Sequence, residues 1–144
     1  MENKKISTRF GVVTATLVVL ARLISKGSAR RVFDVDVVEA SLSYAFANKE
    51  SINWQAVNKA TYNPQELLEA FELTEKSLEN GRRTSFDLTP VAQTELQRLR
   101  HEIAVGLALE RENRVGAIKF ALAVYIAGNT PDDRLKNNLK HFFD

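Results

Sequence analysis

Residues 115–127, VGAIKFALAVYIA, constrain this chain more than any other stretch, because Lys119 is the only charged side chain in the run. Apolar side chains at nearly every position surround a helix on all sides and leave no polar stripe to face water. One partner helix cannot cover such a surface, so the remainder of the chain must wrap it. Just before it, Ala92, Leu96, Leu99, Ile103 and Leu107 recur at helical spacing and predict a long amphipathic helix. The charged segment 110–114 interrupts that stripe, and Gly128 stops the apolar helix.

A chain of 144 residues, 44% hydrophobic and 26% charged, has the size and balance of one globular domain spanning 1–144. The absence of cysteine excludes disulfides and thiolate metal sites and fits a reducing, cytoplasmic setting. A net charge of +2 is small for a dedicated nucleic-acid binder. Lys4-Lys5 followed by the apolar residues 10–24 is similar to a secretory leader. Thr14, Thr16 and Arg22 interrupt that segment, no small-residue cleavage site follows directly, and it is shorter than the roughly 20 residues of a membrane span. It reads as a buried first helix, and no membrane association is expected.

Taken in order, residues 1–5 are expected to fray, and Ser7 or Thr8 caps a helix running to Lys26, with Gly27 as its stop. The alternating segment 32–38 reads as the beginning of a helix over 35–48, because a lone strand without a partner leaves its backbone groups unpaired. Ser51 caps a short helix to Lys59. Asn63-Pro64-Gln65-Glu66 then combines an N-cap, a proline at the first helical position and a capping-box acid, and the helix continues to Asn80-Gly81. Residues 82–87 read as a polar connector. Thr89-Pro90 and Thr130-Pro131 repeat the cap-then-proline pattern at two further helix starts, the last helix turning Leu135, Leu139 and Phe142 inward. The expected fold is all-α.

The two halves share an order of long helix, polar loop, short apolar helix, turn and further helix, giving one repeat over about 6–80 and another over about 86–144. Pairing Val35 with Val115 sets Tyr44 against Val124 and Asn48 against Gly128. With Leu88-Thr89-Pro90-Val91-Ala92 and Val115-Gly116-Ala117-Ile118-Lys119-Phe120-Ala121-Leu122, this order resembles the Clp N-terminal repeat domain, the double helical module that precedes the ATPase rings of Clp-type unfoldases. The resemblance implies a compact two-repeat bundle and a role as protein-binding adaptor or accessory of a chaperone–protease, with an AAA+ unfoldase or its substrate as partner. Ile118 and Lys119, and in the first repeat Val38 and Glu39, stand where that family often has glutamate and histidine, so the binding of phosphorylated arginine by some of its members does not carry over. No phosphate-binding loop of the G-x-x-x-x-G-K-[ST] kind is present, which excludes an ATPase within these residues.

No cofactor, metal or catalytic group is expected. His101 and His141 lack the neighbouring ligands a zinc site needs, and no serine sits in a nucleophile turn. Asp34 and Asp36, like Asp132 and Asp133, stand at helix starts, where negative charge favours the helix dipole. Tyr44, Trp54 and Tyr62 are the candidate protein-binding residues, as aromatic anchors dominate interfaces; core packing is their alternative role. Arg30, Arg31, Arg82 and Arg83 are candidate anion contacts, and a small helical DNA-binding regulator using them on phosphates is the alternative function.

Overall fold

The computed structural model describes residues 2–25 and 33–144. Strand β1 (Lys4–Phe10) leads into helix α1 (Val12–Ser25), followed by α2 (Asp34–Ala47), α3 (Trp54–Ala60) and α4 (Pro64–Phe71). The second half runs through strand β2 (Arg82–Leu88) and helices α5 (Pro90–Gly106), α6 (Arg114–Asn129) and α7 (Asp133–Asn138). The chain is therefore mostly helical, with a two-stranded sheet that an all-α reading omits.

That sheet replaces two expectations, a frayed terminus running into a helix at Ser7 or Thr8 and a polar connector at 82–87. β1 and β2 pair antiparallel from Lys4 opposite Leu88 to Phe10 opposite Arg82. Each satisfies the other's backbone groups, so neither is the lone strand that backbone desolvation forbids. Their side chains alternate as a half-buried ribbon should: Ile6, Phe10, Phe86 and Leu88 face the helices while Lys5, Ser7, Arg9, Arg83, Ser85 and Asp87 are exposed. Phe10 and Phe86 touch beneath the ribbon, with ring centroids 6.2 Å apart.

Helix starts follow local chemistry closely. The side chains of Asn63, Thr89 and Asn113 accept the backbone N–H of Glu66, Ala92 and Gly116, respectively, each three residues ahead. Pro64 and Pro90 occupy first-turn positions, where the missing N–H costs nothing. Pro131 does not, since Asp132 caps α7 and the proline precedes the cap. Asn53 rather than Ser51 caps α3, accepting the N–H of Ala56 at 3.1 Å. Phe33 immediately precedes α2, and its N–H donates to the Asp36 carboxylate at 3.0 Å. The helix expected to reach Asn80 stops at Phe71. Glu72 takes a left-handed conformation with φ 54°, and Leu73 turns back so that its N–H meets the Leu68 carbonyl at 2.9 Å. The connector beyond it is tied to α1, where the Thr16 hydroxyl accepts the Glu79 N–H at 2.9 Å.

α6 runs through the middle, with nine of its sixteen residues buried. It touches α1, α2, α3, α5 and α7. Ile118, Leu122 and Ile126 are almost wholly removed from water, each worth about 1.5–3 kcal/mol of transfer free energy. The last residues close the end of the bundle. Asn53 N–H donates to the Phe142 carbonyl at 2.8 Å and Asp144 N–H to that of Ser51 at 2.7 Å, while the Phe142 ring packs on Phe71.

Gly128 on α6 lies directly against the Tyr44 side chain of α2, so a methyl group there would overlap the Tyr44 hydroxyl and ring. Gly128→Ala is expected to destabilise the fold by about 1–3 kcal/mol through overpacking, although alanine is the better helix former by about 1 kcal/mol. Tyr44→Ala in the same background should recover part of that loss. Denaturant unfolding of the four proteins in the cycle checks it, and strict additivity would rule the contact out.

Candidate functional site

Of the three aromatic candidates, the structure leaves only one facing solvent. Trp54 is 5% exposed, tilted against Phe120 with centroids 6.4 Å apart, and Gly106 at the end of α5 sits directly on its ring. It is a core residue, correcting its candidacy as a binding anchor: a ring buried on every side has no surface to offer. Tyr44 is half-buried, edge-on to Tyr125 at 6.0 Å, and desolvation raises its phenol above the ordinary tyrosine value. Tyr62, 72% exposed, stands at the turn between α3 and α4. The clefts it lines contain neither Tyr44 nor Trp54, so the three do not form one groove.

The four arginine candidates also separate. Arg30 and Arg31 lie outside the described residues. Arg82 pairs with Asp34, which also holds Arg22, so one carboxylate at the first turn of α2 clamps α1 and β2 together. That engagement removes Arg82 from the free cations. Arg83, one residue on, points to the opposite face of the ribbon and is exposed.

Glu39 and Lys119 carry opposite charges with different fates. Glu39 on α2 reaches the start of α5, where its carboxylate accepts both the N–H and the hydroxyl of Thr89 at 2.9 Å each. This places negative charge at a helix N-terminus, where it is favourable. Lys119 on α6 lines two adjoining clefts of about 410 and 390 Å³ between the starts of α1, α4 and α6. Thr14 and Tyr62 line both. The Lys119 ammonium lies 4.9 Å from the centroid of Phe120, and burial lowers its pKa, with Glu112 acting weakly in the other direction.

A further surface escaped the candidate residues. α5 buries Ala92, Leu96, Leu99 and Ile103, and its opposite side leaves Val91 67% and Val105 66% exposed, with Arg98 between them. These three recur every seven residues and so share one helix face. At the start of α5, Pro90 and Val91 form a small cleft with Phe46, rimmed by Glu95 and Arg98. Leu109, just beyond the helix, is also half exposed. The seven-residue spacing of Val91, Arg98 and Val105 is present in the sequence, beside the regular apolar stripe that marks the buried side.

His101 and His141 are both exposed, the latter edge-on to Phe142. Among the described residues no group of three or more His, Cys, Asp or Glu side chains is arranged to hold a metal ion, and no helix is long and apolar enough to cross a membrane. No family model, curated protein or solved structure matches this chain.

Two measurements follow from these positions. Asp34→Asn removes both arginine partners of a partly exposed carboxylate and should cost about 1–2 kcal/mol in denaturant unfolding at pH 7, an effect reduced in high salt. Lys119→Met should raise the thermal midpoint by about 2–4 °C at pH 7. The folded state holds the Lys119 proton less firmly than the unfolded chain, so its cost is full below the folded-state pKa and fades as pH rises through the ordinary lysine value. The advantage of the variant should therefore shrink toward pH 10.5 and above. Tyr44 loses stability over the alkaline range in both proteins and cancels in the difference.

Proposed function

We propose that this chain is a non-catalytic protein-binding module built from two related units. By its resemblance to the Clp N-terminal repeat domain, it acts as a cytoplasmic adaptor or accessory of a Clp-type chaperone–protease. Support for the two units comes from matched order and matched contacts. Laying Phe10 on Leu88 sets Gly11 on Thr89, the start of α1 on the start of α5, and Ser7 on Ser85. Ser7 and Ser85 face each other across the ribbon, and a residue opposite its own counterpart is what a two-fold axis through that pair requires. Contacts of α1 with α6 and of α2 with α5 are the two halves of one relation under such an axis, while α2 with α6 and β1 with β2 map onto themselves.

The observation that carries the binding role is the exposed face of α5. Val91 with Phe46 and Pro90 supplies an apolar anchor point, Val105 a second, and Glu95 and Arg98 charges beside them. Interfaces draw most of their energy from a few such anchors, with charged rims contributing selectivity. An unfoldase or protease subunit is the partner that the resemblance implies.

Affinity capture with the tagged full chain from its native cell is expected to recover a Clp-type unfoldase or protease subunit. The pair Val91→Asp and Val105→Asp should reduce that recovery by about tenfold or more with little change in thermal midpoint, since both side chains are already in water. Recovery of no such subunit by the unaltered chain removes the reading.

A further inference from the structure

The outward face of the β1–β2 ribbon carries an arrangement that the protein's own contacts leave unresolved. Arg9 and Arg83 stand directly opposite each other across the two strands, both exposed. Like charges at that position repel and weaken the pairing. Neither forms an ion pair among the described residues, whose salt bridges involve Arg22, Arg82 and Arg134 instead. Lys5 lies on the same face, opposite Asp87, its one acid, and Lys4 is exposed at the end of the sheet. Between the cations, the Ser7 and Ser85 hydroxyls lie 3.3 Å apart and exposed.

We infer that this face binds the phosphate backbone of duplex DNA, with Arg9, Arg83 and Lys5 as the phosphate contacts and Ser7 and Ser85 as neutral donors beside them. Charge complementarity selects a polyanion, and the composition of the face selects which one. Protein interfaces depend on buried aromatic and aliphatic anchors, and every outward side chain here, from Lys5 to Asp87, is polar. Single-stranded nucleic acids are held by stacking bases on aromatic rings, and the aromatic rings of this ribbon, Phe10 and Phe86, are buried on the other side. Arginine, lysine and serine side chains are the usual backbone contacts on DNA. Such contacts carry no base readout, so binding is independent of sequence. This inference does not rest on the α5 surface or on the resemblance to the Clp module.

Fluorescence anisotropy of a labelled 20-base-pair duplex (the length is about two helical turns), titrated with the full chain, tests it. Three phosphate contacts give a slope of log affinity against log salt of about −2.7, a loss of about 40-fold between 50 and 200 mM. The double variant Arg9→Ala, Arg83→Ala should flatten that slope by about 2 and weaken binding in proportion. Arg83→Glu places an acid opposite Arg9, so it should abolish binding while keeping or raising the thermal midpoint, which separates loss of contact from loss of fold. Three outcomes overturn the inference: no low-salt binding at about 100 µM protein, the weak end of non-specific DNA affinities; equal affinity in the double variant; or tighter binding of poly-glutamate or of the single strand than of the duplex.

Discussion

With Ala117, Ala121, Ala123 and Ala127 among its buried residues, α6 admits neighbouring helices closely, and Ile118, Leu122 and Ile126 fill the space between them. A helix so poor in polar side chains is stable only when other elements cover it, and α1, α2, α3, α5 and α7 all do. The order of the chain follows from that need. Two long helices, α1 and α5, and the helix α2 must be brought around α6, and the ribbon of β1 and β2 joins the segments that lead into α1 and α5. The ribbon turns Ile6, Phe10, Phe86 and Leu88 onto the helices and so extends the same core.

Charge placement is then a consequence of which side of each element that core has taken. Strand alternation sends Arg82 inward to Asp34 and Arg83 outward to face Arg9. Two adjacent arginines thereby acquire different roles, one holding helix and strand together and the other left in water beside a like charge. On the helices, the Glu39 carboxylate is engaged within the protein at the start of α5, whereas Lys119 lines a cleft.

Much of the helical structure was legible because its causes are local. Asn63-Pro64 and Thr89-Pro90 start α4 and α5 through hydrogen bonds that span three residues, and the interrupting charges at 110–114 separate α5 from α6 as their composition implies. The strands were not legible for the opposite reason. Each is a short polar-rich alternation, and its partner lies most of a chain-half or more away, with no tight hairpin turn to announce the pairing. The one stretch that alternates conspicuously, 32–38, enters α2 from Asp34 onward because an acid at the first turn and an apolar helical face outweigh the period-two pattern. The early stop of α4 was hidden as well, since it depends on Leu73 folding back onto the core rather than on a glycine or proline.

For candidate surface residues the limit was sharper. Residue type marks Tyr44, Trp54 and Tyr62 equally as aromatic anchors, and only packing distinguishes Trp54 under Gly106 from Tyr62 in water. By itself, the sequence determined where most helices begin, that α6 must be enclosed, and that no thiol chemistry is available. The tertiary structure alone decided that residues 4–10 and 82–88 are paired strands, which aromatic rings reach solvent, and which arginines are already neutralised. The division follows range: caps, propensities and apolar periodicity act over a few residues, whereas exposure and charge pairing are set by segments far apart in the chain.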